Sequence, residues 1–284
     1  MTFCIYIDII YYINFNRCEN YKDFESIMII AFANQKGGVG KTTSAINVAA
    51  SLGMFGKKVL LCDLDPQSNA TTGVGIDKRN VSVSIYDVII GRTPVKEAVV
   101  KSEYENLWVL PSNINLAGAE IEFVEDNITE RFFRFKNMIS APAENDFDYI
   151  IIDCPPSLGL LTVNALCGSD YVVTPMQCEY FAVEGLAQLT NTLRQVRRLY
   201  NPKIEIAGIL ITMYDGRLNL SVQILDELKK YFPDKILKTL VPRTVRLAEA
   251  QSHKMPIYYY DKPSKANECY IDLAKEIDKI CARV

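Results

Sequence analysis

Imidazole is nearly absent from this chain of 284 residues, in which His253 is the single histidine. We expect His253 to be structural, not catalytic. The eight cysteines include no pair at the C-x-x-C spacing, so neither a zinc motif nor a redox motif is indicated. Several cysteines lie in apolar runs, where a free thiol behaves as a small hydrophobe, and this usage suits a reducing, cytosolic compartment. Internal repeats and low-complexity linkers are also missing, which favours a single domain.

The N-terminus has an apolar run, Phe3–Ile13, that is interrupted by Asp8. The run is too short to span a membrane, and it lacks the positive flank of a signal peptide. Met28 directly precedes a strong strand pattern. We therefore expect residues 1–27 to be an added or mis-annotated leader, and the domain to cover residues 28–284. The alternative is an N-terminal arm that touches a membrane.

The net charge of −3 gives no general sign of a nucleic-acid partner, but the charge is unevenly placed. Between Asn191 and Lys265 there are 14 Lys and Arg residues against 7 Asp and Glu residues, a net of +7 that leaves −10 on the rest of the chain. Such an asymmetry points to an anionic partner for the basic part.

Apolar runs alternate with amphipathic stretches from Ile27 onward. The runs predict strands because they are rich in Val, Ile and Leu and mostly continuous, as in strands that are buried on both faces. The predicted strands are Ile27–Ala33, Lys58–Cys62, Leu107–Leu110, Tyr149–Ile152, Tyr171–Pro175, Ile206–Thr212 and Ile236–Val241. The predicted helices are Lys41–Phe55, Val183–Tyr200, Asn219–Phe232 and Ala266–Cys281. This alternation predicts an α/β fold with a mostly parallel, twisted sheet and helices on both faces.

A glycine-rich segment follows the first predicted strand and opens the first predicted helix. Its residues are Lys36, Gly37, Gly38, Val39, Gly40, Lys41, Thr42 and Thr43. Glycines allow backbone N–H groups to turn toward phosphate oxygens, and the helix N-terminus adds its partial positive charge. We expect Lys41 to reach the β- and γ-phosphates of ATP, and the Thr42 hydroxyl to bind Mg²⁺. The sequence therefore predicts a P-loop NTPase fold.

The phosphate segment departs from the usual P-loop in two ways, since Gln35 replaces the first glycine and Lys36 is an additional lysine. In this it resembles the deviant Walker A box of the ParA/MinD family. The resemblance implies that Lys36 crosses a dimer interface and touches the phosphates bound by the partner subunit. ATP would then lie between two subunits, and its binding would control formation of a homodimer.

Two acidic segments resemble the other nucleotide motifs of that family, in the same order along the chain. Leu60–Gln67 resembles switch I, and the resemblance implies that Asp65 positions the attacking water. Taken alone, Asp63 and Asp65 are equally typical of a turn at the end of a strand. Asp148–Ser157 resembles Walker B and switch II. Asp153 ends a buried apolar strand, where an acid is costly unless it serves a metal or its water shell, so we expect it to hold Mg²⁺ through water.

Two later segments resemble the small chromosomal ParA proteins, also called Soj. These are Pro175–Leu186 and Val241–Ala250. The resemblance implies that Met213, Pro242 and Arg243 border the adenine. It also implies that Arg217 and Arg246 contact DNA phosphates without reading bases, although from charge alone they are more typical of solvated surface arginines.

These resemblances imply a Mg²⁺-dependent ATPase that is slow alone and is stimulated by a ParB-like partner. Its ATP-bound homodimer would bind non-specific DNA and act in chromosome or plasmid partitioning, in the cytoplasm and on the nucleoid. No stable association with a membrane is expected.

Four other functions remain open. A MinD-like membrane-associated ATPase is the main alternative, although the last helix mixes acids and lysines on its polar face, which anionic lipid does not favour. The three tyrosines Tyr258–Tyr260 suggest a tyrosine autokinase. Cys154 and Cys178 suggest an electron-transfer ATPase like the nitrogenase iron protein, but their sequence contexts do not match its cluster ligands. The fourth is an ATP-dependent switch that does not bind DNA.

Overall fold

A computed structural model describes residues 27–125, 130–140, 147–179 and 182–282. Its centre is a sheet of eight strands in the order β3-β4-β2-β5-β1-β6-β7-β8. The strands are β1 Met28–Phe32, β2 Val59–Asp63, β3 Val100–Lys101, β4 Leu107–Leu110, β5 Tyr149–Asp153, β6 Tyr171–Gln177, β7 Glu205–Tyr214 and β8 Ile236–Pro242. All neighbouring strands are parallel except β3 and β4, which pair antiparallel.

Twelve α-helices connect and cover the strands within the described ranges. They are α1 Lys41–Met54, α2 Asn69–Gly73, α3 Ile85–Ile89, α4 Val95–Ala98, α5 Leu116–Glu125, α6 Arg134–Ser140, α7 Leu160–Gly168, α8 Ala182–Leu199, α9 Asn219–Tyr231, α10 Val245–Ser252, α11 Ile257–Tyr260 and α12 Lys265–Cys281. Short 3₁₀ turns occur at Lys78–Asn80 and Glu130–Phe132. None of the helices in the described part of the chain is long and apolar enough to cross a bilayer.

Alternate residues of each central strand point to opposite faces of the sheet, and each face has its own core. In β1, Ile30 and Phe32 pack with α1 and α12 on one face, whereas Ala31 packs with α5, α7 and α8 on the other. All five residues of β2 and of β5 are buried. Burial on both faces explains why these strands read as continuous apolar runs.

The strand order reverses direction at β1, the central strand. From β1 the chain passes through α1 to β2, which lies beyond β5 on one side of β1. Later the chain crosses from β5 to β6, which pairs with β1 on its other side. In open parallel sheets, ligands bind in the crevice at the carboxyl ends of the strands where the order reverses. The loop between β1 and α1 lies at this crevice.

The structure confirms the α/β fold, all seven predicted strands and all four predicted helices, with ends that differ by one or two residues. The two-residue strand β3 and the shorter helices were not predicted, because they hold too few residues for a periodic pattern. The predicted leader, apart from Ile27, lies outside the described residues.

Candidate functional site

The loop between β1 and α1 forms a cradle at the carboxyl edge of the sheet. Gly38 and Gly40 have φ values of 71° and 84°, in the left-handed region that side chains disfavour. Gly40 precedes the first turn of α1, which contains no acidic residue. The first N–H groups and the partial positive charge of this helix end therefore face the crevice with no acidic side chain in the same turn, and such a helix end suits a phosphate group.

Polar side chains from β6 and β7 brace the cradle. Gln177 Nε2 donates to the Gly38 carbonyl at 2.7 Å. The buried Thr212 hydroxyl lies 2.8 Å from the Val39 carbonyl oxygen and 3.1 Å from that of Met176. A Cβ atom on Gly40 would lie 3.5 Å from the Thr212 methyl group, so the loop runs close beside this strand.

Asn34 holds the beginning of the same loop. Its Nδ2 donates to the Pro175 carbonyl at 2.7 Å, and its Oδ1 accepts from the Lys36 N–H at 3.0 Å. The sequence analysis missed Asn34, Gln177 and Thr212 as site residues. Their one signal in the sequence is a polar side chain at or near the carboxyl end of an apolar strand.

Lys41 is almost completely buried at the start of α1, and its Nζ donates to the Lys36 carbonyl at 3.0 Å. Burial lowers the pKa of Lys41, and the nearby carboxylates of Asp153 and Asp65 oppose that shift. The ammonium group thus lies in the cradle among acids and backbone, where it can neutralise phosphate oxygens.

Lys36 points across the opening of the cradle. Its Nζ forms an ion pair with the Glu179 carboxylate of the same chain, and both side chains are about half exposed. The lysine expected to cross to a partner subunit is therefore held within its own subunit in this structure.

The acids at the ends of β2 and β5 lie side by side, because Asp63 and Asp153 are register partners. Both are fully buried. Asp63 Oδ2 accepts from the Thr71 N–H and from the Thr71 hydroxyl, each at 2.7 Å. Burial raises the pKa of Asp63 to about 6, although these hydrogen bonds favour the charged form.

Asp65 follows two residues later, at the edge of the crevice. Its Oδ1 accepts from the Gln67 N–H at 2.9 Å, and its carbonyl accepts from the Ser112 hydroxyl at 2.9 Å. The backbone of this turn is therefore held independently of the remaining carboxylate oxygen, which is available for a further hydrogen bond.

Neither carboxylate oxygen of Asp153 makes a hydrogen bond of ordinary geometry in the described part of the chain. Burial raises the pKa of Asp153 well above its usual range, and the neighbouring Asp63 adds to the shift, whereas Thr42 and Lys41 oppose it. A buried acid without a partner fits a hydrated Mg²⁺ as its missing neighbour.

The small number of candidate metal ligands around Asp153 also fits Mg²⁺. The described residues contain no group of three or more His, Cys, Asp and Glu side chains that could hold a metal by itself. Mg²⁺ is usually bound by one or two protein ligands, with phosphate and water completing its shell. The Thr42 hydroxyl and Asp153, which were expected to hold Mg²⁺, would make a ligand set of that size.

The three residues expected near adenine lie at or directly after the ends of two adjacent strands. Met213 has a φ of 51° and is 40% exposed at the end of β7. Its neighbour Tyr214 is the register partner of Pro242 in β8, and the Arg243 N–H donates to the Tyr214 carbonyl at 3.3 Å. Thr212 in turn contacts the cradle, so these residues continue the same edge of the site.

The two arginines expected to contact DNA follow β7 and β8, and both have carboxylate partners. Arg217 is exposed and forms a two-point contact with Asp215, at 2.9 and 2.7 Å. Arg246 contacts Glu249 at 3.0 Å and Asp261 at 3.2 Å, and its side chain is half exposed. Neither arginine is therefore an isolated positive charge in this conformation.

Comparison with known proteins agrees with this geometry. The family described as an AAA domain matches residues 27–206. The sporulation initiation inhibitor protein Soj of Bacillus subtilis (strain 168) is 53% identical over 249 residues, which cover 88% of this chain and 97% of Soj. The chromosome partitioning protein ParA of Myxococcus xanthus (strain DK1622) is 47% identical and covers 88% of each chain.

Solved structures are similar as well. The crystal structure of cobyrinic acid a,c-diamide synthase from Mycobacterium smegmatis with bound ADP and magnesium matches with a TM-score of 0.79 and 34% identity, over 90% of this chain and 96% of that one. MinD of Pyrococcus horikoshii OT3, complexed with Mg-ADP, has a TM-score of 0.73 at 24% identity over 90% of this chain and 97% of MinD, which shows a shared fold. Taken with the deviant cradle and the paired acids, these similarities show that the chain belongs to the Soj/ParA family of chromosome-partitioning ATPases.

Proposed function

We propose that this protein is a Mg²⁺-dependent ATPase that dimerises around ATP, binds DNA non-specifically in that state and acts in partitioning with a ParB-like partner. The observation that carries the proposal is the cradle itself. A first helix turn without acidic residues, the buried Lys41 and the buried Asp153 lie together, and they suit a nucleoside triphosphate with a divalent cation. The Soj and ParA relatives supply the partitioning role.

Each site residue then has a distinct task. The Lys41 ammonium neutralises charge on the β- and γ-phosphates, and the cradle N–H groups hold their oxygens. The Asp65 carboxylate orients the water for in-line attack. Mg²⁺, when bound by Thr42 and through water by Asp153, would neutralise the charge that develops on the transferred phosphoryl group.

Dimer formation requires Lys36 to leave Glu179. The released ammonium is then free to reach the phosphates in the partner subunit, so that ATP lies between two chains. Met213, Pro242 and Arg243 would border the adenine, and the closed dimer would present Arg217 and Arg246 to the DNA backbone. We place this activity in the cytoplasm, on the nucleoid in the ATP state.

A MinD-like membrane ATPase is the competing function, and the position of α12 argues against it. Tyr270, Leu273 and Ile277 of this last helix are at most 1% exposed, because they pack against α1 and the sheet. A helix that binds a membrane surface needs its apolar face free for the lipid. This burial argues against α12 as a membrane-binding helix.

Binding assays decide between the two partners. We expect retention on non-specific duplex DNA with ATP and Mg²⁺, little retention with ADP, loss of binding at high salt, and no binding to vesicles of anionic phospholipid. Binding to vesicles but not to DNA would favour the MinD-like function.

Charge reversal gives a matched pair for the DNA face. Arg217→Glu should weaken retention on DNA. Arg79→Glu should not, although Arg79 contacts Asp77 in the same two-point manner as Arg217 contacts Asp215. Arg246→Glu should abolish retention while ATP-dependent dimerisation persists. Unchanged retention in both the Arg217 and the Arg246 variant would place the DNA site elsewhere.

Gel filtration of Lys36→Ala tests whether ATP lies between two subunits. With ATP this variant should elute as a monomer under conditions in which the wild type elutes as a dimer. A persistent dimer would contradict the proposal that ATP lies in the dimer interface, where Lys36 reaches it.

A further inference from the structure

Asn47 lies in the middle of α1 and is 5% exposed. Its Nδ2 donates to the Thr43 carbonyl at 2.7 Å, and its Oδ1 accepts from the Ile257 N–H at 2.7 Å. Because a carbonyl only accepts and an N–H only donates, these two partners determine the orientation of the amide. Asparagine is a weak helix former. These two hydrogen bonds, and not helix propensity, therefore explain why an asparagine stands at this position of the helix.

The Ile257 peptide belongs to a segment that we name the arginine segment, residues 244–261, which contains α10 and α11. Within it, the Ile257 carbonyl accepts from the Asp261 N–H at 2.8 Å. Asp261 contacts Arg246 Nε at 3.2 Å. Asn47 therefore touches, on one side, the first turn of the cradle helix, and on the other a residue, Ile257, whose carbonyl is hydrogen-bonded to a partner of Arg246.

Further hydrogen bonds attach the arginine segment to the loop before β4. The Tyr104 hydroxyl donates to the Lys254 carbonyl at 3.1 Å, and the Glu105 N–H donates to the Tyr259 hydroxyl at 3.1 Å. These bonds hold the segment to the body of the domain, but they do not reach the cradle. The bond to Asn47 does, because Thr43 is a cradle residue.

We propose that Asn47 is a positioning residue that couples the phosphate site to Arg246. This inference rests on the proposed function, in which Arg246 contacts DNA. Phosphate bound by the first turn of α1 displaces the Thr43 peptide, and the buried amide of Asn47 follows, because losing either hydrogen bond would leave a buried polar group unpaired. The displacement reaches Ile257 and then Asp261, which changes how firmly Arg246 is held away from a DNA phosphate.

Two variants break the link from opposite sides. Asn47→Leu removes both hydrogen bonds. Ile257→Pro removes the donor N–H, and the backbone suits it, since Pro256 has a φ of −60° and a ψ of 149° and Ile257 is the first residue of α11. Ile257→Ala is the control for the lost side chain, because it keeps the N–H. Tyr270→Phe is the control for α1, because it removes the 3.2 Å contact between the Ser44 and Tyr270 hydroxyls, which leads to α12 instead.

The measured quantity is the ratio of DNA affinity with ATP to DNA affinity with ADP, with nucleotide affinity measured separately. Asn47→Leu and Ile257→Pro should lower this ratio by about fivefold or more, the range of an allosteric coupling, while ATP binding is retained. Ile257→Ala and Tyr270→Phe should keep the wild-type ratio. Wild-type ratios in both link variants would overturn the proposal.

Amide hydrogen exchange over residues 257–261 supplies a readout that does not involve DNA. ATP should change the protection of these amides in the wild type, and this effect should be lost in Asn47→Leu and Ile257→Pro. If the wild type fails to bind DNA, the proposed function is wrong, and the exchange result still decides the coupling. An ATP effect on exchange that survives in both link variants would refute the role of Asn47.

Discussion

The ammonium group of Lys36 is paired with the carboxylate of Glu179 across the opening of the cradle. Glu179 follows the end of β6 by two residues, so the pair joins the loop after β1 to the loop after the neighbouring strand. The lysine that the family resemblance assigns to a partner's phosphates is thus held by an acid of its own subunit. In the proposed dimer, closure would exchange this carboxylate for phosphate oxygens.

Removal of that acid should favour the dimer. We expect Glu179→Gln to lower the ATP concentration needed for half-maximal dimerisation by about 1.4- to fivefold, because an exposed ion pair typically contributes about 0.2–1 kcal/mol. Sedimentation velocity across an ATP titration measures this. Glu268→Gln is the matched control, since it removes a comparable exposed pair with Lys265 on the surface of α12. An unchanged or higher ATP requirement in Glu179→Gln would contradict a restraining role.

The strands could be predicted from the sequence because both faces of the sheet are covered. Burial on both faces makes runs such as Tyr149–Ile152 continuously apolar, and that pattern survives small errors in length. Helices such as α3 and α4 have five and four residues, too few to show a helical period. Their positions depend on tertiary packing.

The candidate site divides in the same way. The cradle was predictable because its chemistry is local, with glycines, a lysine and a threonine at fixed spacing. The braces Gln177 and Thr212 were not, because their partners are 139 and 173 positions away in the chain. The same holds for the carboxylates around Arg246 and for the hydrogen bond that joins Asn47 to Ile257. The sequence contains these residues but not their distances.

Asp65 provides a test of the chemical step. Asp65→Ala should lower kcat for ATP hydrolysis by about 10²–10⁴, the usual contribution of a positioned acid or base, and should leave an ATP-bound dimer. The turn should persist, because the Ser112 hydroxyl still donates to the carbonyl of residue 65. Asp77→Ala is a control, since Asp77 likewise accepts from a backbone N–H two residues later. Normal turnover in Asp65→Ala would refute its role.

Asp63 makes stability depend on pH. Burial raises its pKa from 3.8 to about 6, so the folded protein holds this proton more tightly than the unfolded chain does. The stability that comes from this tighter proton binding is fully present below about pH 4 and is lost as pH rises through about 6. The free energy of unfolding then falls by an amount on the order of 1–3 kcal/mol. Urea denaturation of wild type and Asp63→Asn, without Mg²⁺, should show a stability difference that changes over this interval. Parallel profiles would show that Asp63 does not titrate there.

Asp153 should oppose stability when metal is absent. Without Mg²⁺, Asp153→Asn should be more stable to urea than the wild type by about 1–3 kcal/mol at alkaline pH, because it removes a fully buried charge beside the acid Asp63. The gain should shrink as pH falls, since the raised pKa of Asp153 lets the wild type neutralise the carboxyl. Adding Mg²⁺ with ATP should raise the Tm of the wild type but should add little beyond ATP alone in Asp153→Asn. An equal Mg²⁺ effect in both proteins would exclude Asp153 from the metal site.

Thr212 tests whether the brace from β7 shapes the cradle. Its hydroxyl lies within hydrogen-bond distance of the Val39 carbonyl, and the side chain is 2% exposed. Thr212→Val keeps the shape but leaves that carbonyl without this donor, so unfolding free energy should fall by about 1–3 kcal/mol and ATP should bind more weakly. Thr212→Ser keeps the hydroxyl and loses the methyl group that faces Gly40, so it should retain most of the affinity for ATP. If the serine variant loses as much affinity as the valine variant, packing against Gly40, and not the hydrogen bond to Val39, holds the loop in its binding conformation.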